Sequence, residues 1–378
     1  MKCILFANTD WYLYNFRRSL ATALRESGHE ILLVSPPGPY GEKLEALGFR
    51  WIAAPMERSS LNPLRELRLL GWLWRLMRRE QPDVVHGFTI KCAVYGALVG
   101  RLVGAGRVNA VAGMGYVFIS DSVKARLLRP PLRLLMRAAL GGEGARLILQ
   151  NPDDVQLFER ARIVPSGQIR LLRGSGVDCS RFLPPSDERV SADATLCVVL
   201  AARMLWDKGV GEFIEAARLL KSERRPLRFL LAGVPDPGNP AAIAEETLRA
   251  WQAEGVVEWL GHVSDMPTLL AEADIVVLPS YREGLPKSLI EAAACARPLI
   301  TTDAPGCREV VTHGVDGLLV PVRDAGALAR AIAEIHDNPA LARRLGEAAR
   351  EKALSEFDDR VVIAQTLAVY YEIVSERK

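Results

Sequence analysis

The sequence predicts an α/β protein of two similar domains, each a doubly wound parallel sheet covered by helices. Three observations carry that expectation. Short apolar runs alternate with helical patterns along the whole chain. The apolar runs are nearly continuous, as expected of strands buried on both faces. The length of 378 residues exceeds one compact core and fits two domains of ordinary size.

In chain order, "KCILFA" (2–7) predicts the first strand and "NFRRSLATALRESG" (15–28) its helix, ended by Gly28. "HEILLVSP" (29–36), "PDVVHGF" (82–88), "RVNAVAG" (107–113) and "RLILQN" (146–151) predict further strands. A second series opens with "TLCVVLAARM" (195–204), followed by a helix from "KGVGEFIEAARLLKSE" (208–223). Its other strands are "LRFLLAG" (227–233), "VVEWLG" (256–261), "DIVVLPS" (274–280) and "PLITTD" (298–303). Between the series, residues 173–193 are rich in Gly, Pro, Ser and Asp, which places the boundary there. The expected domains are 1–175 and 176–356.

Apolar content of 49% and charged content of 25% are those of a folded chain. The six cysteines have no C-x-x-C pair, which argues against a zinc site or disulfide framework and for a reducing cytoplasm. The start "MKCILFANTD" turns polar too soon for a signal peptide, and no apolar run nears the ~18 residues of a spanning helix. The expectation is a soluble chain, at most peripheral to a membrane. Net charge is +3, but residues 1–175 hold 25 Lys+Arg against 14 Asp+Glu, and the remainder 23 against 31. A basic half predicts an anionic partner.

"YREGLPKSLIE" (281–291) follows the strand "DIVVLPS", so it lies where such sheets bind ligands. Pro286 suits a first helical position and Gly284 an unusual backbone angle before it. The N–H groups of Lys287 and Ser288 are then positioned to hold an anion. Carboxylates accept hydrogen bonds from sugar hydroxyls, so Glu283 fits a hexose and Glu291 a ribose. Taken alone, the pair also fits ordinary capping charges, which are commoner.

In "AARMLWDKG" (201–209), Arg203 and Lys208 flank a strand end and a helix start, where a diphosphate lies in such folds. A planar fork and a point charge suit a diphosphate that leaves as a dianion. The G-x-G pairs lack a third glycine, there is no P-loop, and no D-x-D triplet holds a divalent metal. The five histidines have no metal-ligand spacing. His86 ends the strand "PDVVH", which gives it a route to a cleft or, equally, a structural role.

Residues 61–80 interleave Leu, Trp72 and Trp74 with arginines, and 123–140 carry Arg126, Arg129, Arg133 and Arg137 three or four apart. Two such segments in the basic half favour contact with an anionic membrane surface over a plain core helix with a solvated side. Base-stacking aromatics do not accompany the arginines, so nucleic acid is not the expected partner.

With these residues in hand, the chain resembles glycosyltransferase family 4, retaining nucleotide-sugar enzymes of the GT-B fold. "AARMLWDKGVGEFIEAARLL", "LAGVPDPGNP", the stretch from "WLGHVSDMP" through "YREGLPKSLIE" to "PGCREVV", and "GVDGLLVPVRD" carry the likeness in order. The E-x7-E signature falls on Glu283 and Glu291, its basic partners on Arg203 and Lys208. "VVHGFTIKCAVYGALVGRL", "VNAVAGMGYVF" and "QNPDDVQLF" resemble bacterial members that extend polyprenyl-diphosphate-linked sugars in surface-glycan or glycoprotein assembly.

The resemblance implies two Rossmann-like domains facing across a cleft, acceptor on the first, nucleotide-sugar on the second, and a last helix (357–378) packing back on the first. Catalysis falls to Glu283, Arg203 and Lys208. Donor binding falls to Glu291, Gly284, Leu285, Pro286, Lys287 and Ser288, with Val263 and Gly233. His86, Lys91 and Tyr116 are expected on the acceptor side. No cofactor or metal is implied, the donor being a substrate, with UDP-GalNAc the leading choice. The implied place is the inner face of the bacterial cytoplasmic membrane. Two departures stand out: "NTDWYLYNF" (8–16) has no glycine where many members have a Gly-Gly loop, and Met114 stands in "GMGYVF" where many present a histidine. A non-hydrolysing sugar-nucleotide epimerase of similar plan and a non-catalytic partner subunit are the alternatives.

Overall fold

The computed structural model describes residues 1–377 except Ser59, Leu61, 112–122, 186–194 and Pro237, and of 123–128 the backbone alone. Tyr116, Met114 and the side chain of Arg126 therefore lie outside the described residues. Two units divide the chain: Met1–Gly176 with Asp359–Lys378, and Val177–Asp358.

In the first unit the order is β1 (Lys2–Phe6), α1 (Arg18–Glu26), β2 (Glu30–Ser35), α2 (Gly41–Ala46), β3 (Arg50–Ala53), α3 (Pro63–Glu80) and β4 (Val84–Phe88). Then come α4 (Thr89–Leu102), β5 (Gly106–Ala110), α5 (Val123–Leu140), β6 (Ala145–Leu149), α6 (Pro152–Arg160) and β7 (Ile169–Leu171). All seven strands are parallel, in the order β3-β2-β1-β4-β5-β6-β7. The chain winds outward from β1 to β3, then crosses back to β4, so the switch point lies between β1 and β4.

Helical structure after β1 begins earlier than its sequence pattern predicts, at Asp10 rather than at Asn15. Thr9 caps a short turn by accepting from Tyr12 N, and Leu13–Arg17 adopt a π-helical turn before α1. Asp10, buried beneath this loop, accepts from the backbone N–H groups of Trp11, Tyr40 and Gly41 at 2.8, 2.6 and 3.0 Å. A carboxylate holding three amides ties this loop to the start of α2 through its own side chain.

The second unit runs β8 (Leu196–Ala201), α7 (Val210–Ser222), β9 (Leu227–Ala232), α8 (Glu245–Ala253), β10 (Glu258–Gly261), α9 (Met266–Glu272) and β11 (Ile275–Leu278). It ends with α10 (Lys287–Ala294), β12 (Leu299–Thr302), β13 (Leu318–Val320), α11 (Ala325–Asp337) and α12 (Pro339–Lys352). Its parallel sheet is ordered β10-β9-β8-β11-β12-β13, with the switch point between β8 and β11. Strands such as β11 are buried at every position, whereas the edge strand β10 is not, which is the burial a helix-covered sheet imposes.

The last helix, α13 (Asp359–Ser375), belongs to the first unit. Val369, Tyr370 and Ile373 join the core beside β1, β4 and β5. Arg146 and Arg170, on β6 and β7, both reach Glu372. Burying Tyr370 completely is worth about 2–3 kcal/mol of apolar transfer, and its hydroxyl finds a partner in His86 at 2.6 Å.

Candidate functional site

The switch point of the second sheet gathers the charged residues. Lys208 ends a 3-10 turn (Trp206–Lys208) after β8, and Glu283 stands in the loop after β11. Lys208 Nζ lies 2.5 Å from Glu283 Oε1, with the side chains 16% and 12% exposed. Two bonds to one carbonyl hold the two loops in register: Tyr281 N donates to Asp207 O at 2.9 Å, and the Ser280 hydroxyl Oγ donates to it at 3.0 Å.

Glu283 is set from behind as well. Its N–H donates to Pro305 O at 2.9 Å. Gly306, at φ 84°, lets this approach happen, since a Cβ there would stand 2.4 Å from Glu283 O. Gly233, at φ 143°, closes the end of β9 the same way, its absent Cβ falling 1.8 Å from Ala202 O.

Arg203 takes a different partner from Lys208. Its Nη1 lies 2.7 Å from Asp236 Oδ2, in the loop after β9, and half of the side chain is exposed. A second, deeper brace joins Tyr281 and Glu212, whose hydroxyl-to-carboxylate bond is 2.7 Å, with the Arg323 guanidinium 4.7 Å from the Tyr281 ring centre. Burial, reinforced by Glu212, pushes the Tyr281 hydroxyl up to about 12. Asp236, Tyr281, Glu212 and Gly306 went unmarked in the sequence reading. Only the Gly/Pro-rich run around Asp236 gave a local signal.

Helix α10 starts at Lys287, and Pro286 is its N-cap, at φ −75° and ψ 105°. The expectation that Pro286 opens the helix is therefore off by one residue: its ψ is extended, not helical. Glu291 sits one turn along, 3.7 Å from Lys287 Nζ. Burial raises its pKa above the ordinary 4.5, with Lys287 and Arg181 opposing the rise. Leu285 and Val263 pack against the apolar cluster beneath the sheet end, and Gly284 and Ser288 are partly exposed beside them. The structure thus brings Arg203, Lys208, Gly233, Val263 and 283–291 to one sheet edge.

The first unit corrects three expectations. His86 does not reach an open surface: it is 1% exposed, bonded through Nδ1 to Tyr370 and packed 4.0 Å from the Phe88 ring. Lys91 is held inward, its ammonium on Glu57 O (2.9 Å), Ser60 O (3.1 Å) and Glu66 Oε1 (2.8 Å). These three acceptors use all three of its donors. Trp72 and Trp74 do not share a surface either. Trp72 packs on the core, while Trp74 is exposed with Arg78 5.2 Å over its ring. On α5, Arg129 is partly exposed, Arg133 donates to Ala161 O, and Arg137 is exposed, as are Leu134 and Leu135.

Among the described residues no helix is long and apolar enough to cross a membrane. No group of three or more His, Cys, Asp or Glu among them could hold a metal ion.

Residues 187–352 match the family of glycosyl transferases group 1, and residues 15–174 match the glycosyl transferase 4-like domain. The chain is 29% identical, over 96% of both lengths, to the N,N'-diacetylbacillosaminyl-diphospho-undecaprenol alpha-1,3-N-acetylgalactosaminyltransferase of Campylobacter jejuni. It is 23% identical to the UDP-Gal:alpha-D-GlcNAc-diphosphoundecaprenol alpha-1,3-galactosyltransferase of Escherichia coli, covering 82% of this chain and 80% of that one. Among solved structures, Anabaena HepE in complex with UDP and glucose superposes with a TM-score of 0.78 at 18% identity, over 98% and 99% of the chains. Its fold is shared. The chain therefore belongs to the glycosyltransferases, a 4-like domain followed by a group 1 domain, each on its own parallel sheet in the manner of the GT-B fold.

Proposed function

We propose that this enzyme moves a hexose or N-acetylhexosamine, with GalNAc from UDP-GalNAc the first choice, onto a saccharide carried by a polyprenyl diphosphate. The observation that carries the reading is the Lys208–Glu283 pair at the switch point of the group 1 domain, with Arg203 on the same edge. The Campylobacter relative, similar over nearly its whole length, supplies the donor and acceptor class.

In this scheme Arg203 and Lys208 hold the departing diphosphate, and Glu283 accepts hydrogen bonds from the sugar. Glu291 takes the ribose. The bond from the anomeric carbon to the β-phosphate oxygen breaks, and the acceptor oxygen bonds the same carbon on the same side. The leaving phosphate takes the acceptor's proton. Fixed cations aimed at developing charge are the form of stabilisation that dominates many enzymic rates. No metal or cofactor takes part. The enzyme works on the cytoplasmic side of the membrane, held there by the basic first domain and its exposed Trp74, Leu134 and arginines.

A panel of radiolabelled UDP-sugars, incubated with undecaprenyl-diphosphate-linked saccharides and then chelator, tests the reading. UDP-GalNAc labels the lipid with the α configuration retained, and EDTA leaves the rate unchanged. Donor hydrolysis or epimerisation with no lipid labelled refutes it.

A further inference from the structure

A cavity of about 880 Å³ opens in the first domain at the amino-terminal ends of β5 and β6, the opposite end of that sheet from its switch-point edge. Four guanidiniums line it, together with Glu143 and Glu376; Arg146 is one, and the other three come from separate elements. Arg101 comes from the last turn of α4, Arg107 from β5, and Arg377 from beyond α13.

None of the three is paired with a carboxylate among the described residues. Arg101 donates to Ala138 O at 3.1 Å, and Arg107 to the carbonyls of Gly141 and Glu143. Arg377 donates to Asp83 O at 2.8 Å and to Gly104 O. The fourth, Arg146, differs: it carries both Glu372 and Glu376. Paired and unpaired arginines thus stand side by side.

A satisfied donor is not a neutralised charge. Carbonyls accept the N–H groups but bring no net charge, and of the two acids lining the cavity Glu376 is already held by Arg146, which leaves Glu143 against three cations. The carboxy-terminal ends of α4 and α5 converge here, and about half a negative charge from each leaves a positive remainder. Arg107 is only 3% exposed, and burial, with Arg101 and Arg377 nearby, lowers its pKa to about 10.

Glycine lets two of the forks approach the backbone. A Cβ on Gly142 would stand 2.7 Å from Arg101 Nη2 and 3.8 Å from Arg107 Nη2. Gly142 so lets the Arg101 fork lie against the backbone beside Arg107, and guanidiniums match phosphate bidentately.

We propose that this cavity is a second ligand site, in the first domain, which holds a phosphate group on Arg101, Arg107 and Arg377. The phosphate belongs either to a small soluble molecule or to a lipid headgroup; the chemistry of recognition is the same.

The test follows the full chain's melting temperature against inorganic phosphate and pyrophosphate, and its flotation with vesicles of phosphatidic acid in phosphatidylcholine. Lys208→Gln weakens binding at the donor centre and keeps the response of this cavity. Arg377→Gln weakens that response about tenfold, and adding Arg101→Gln weakens it about a hundredfold. Response to soluble phosphate identifies a small ligand; flotation alone, lost in R377Q, identifies a headgroup. The proposal is overturned if the Lys208→Gln protein responds to none of these probes, or if its responses survive Arg101→Gln with Arg377→Gln. Arg377→Gln alone, at an exposed position, decides the matter if the double variant does not fold.

Discussion

Lys208 and Glu283 bond each other across the two loops that flank the switch point of the second sheet, at 2.5 Å and largely withdrawn from water. Removing one partner from such a pair leaves the other charge uncompensated, so neither position is a neutral site for substitution. The pair also means that the lysine's ammonium is oriented by a carboxylate.

Lys208→Ala and Glu283→Gln each lower turnover well over tenfold, as does Arg203→Ala. Because Lys208 and Glu283 act as a unit, the double variant loses little more than the worse single one. Single-turnover rates at saturating donor check this, and strictly multiplicative losses would show independent roles.

Gly306→Ala places a methyl group against the Glu283 carbonyl at a left-handed backbone position, a strain of about 1–3 kcal/mol. Turnover drops about tenfold while circular dichroism keeps its native form. Acceptor affinity stays put, since no acceptor group is assigned there. Full activity in this variant would show that Glu283 need not be held so closely.

His86 is buried neutral, and burial, with Arg17 nearby, holds its pKa well below 6.5. The unfolded chain therefore takes up a proton that the folded one refuses as pH falls below about 6.5. Stability declines on that acid side and is fully present above it. His86→Phe flattens this slope in denaturant titrations at pH 5 and pH 7, and leaves the acceptor KM unchanged. A raised acceptor KM would return His86 to the substrate's surroundings.

Trp74→Ala combined with Arg75→Glu and Arg78→Glu, all on the exposed side of α3, weakens partition onto anionic vesicles by more than tenfold. Turnover on a short-chain, water-dispersed acceptor is unaffected. Equal partition of variant and wild type would end the idea that this helix meets a membrane.

The central strands were readable because burial on both faces writes a continuous apolar run, as in "ILLVS", "VVHGF" and "IVVL". The three strands left out of the sequence reading are short and lie at or beside sheet edges. Arg50–Ala53 and Ile169–Leu171 show exposed or half-exposed positions, and Leu318–Val320 has only three residues. Arg203, Lys208 and the 283–291 segment follow adjacent strand ends, so position after a strand was enough to bring them together. His86 failed because its partner, Tyr370, lies 284 residues away, and a strand end says nothing of a helix that returns to cover it. Lys91 failed for a related reason: its acceptors come from the turn before α3 and from α3 itself. Asp10 escaped notice because two of its three amide partners lie 30 and 31 residues on, at the start of α2.

Residues 177–358 form one uninterrupted segment, whereas the first domain is made of two segments that bracket it. A ribosome therefore delivers everything the later sheet needs while Val84, His86 and Val108 still lack the roof that α13 provides. The half that starts second in the gene is the half that can finish first, and a nick between Asp358 and Asp359 would unseat the earlier domain while sparing its neighbour.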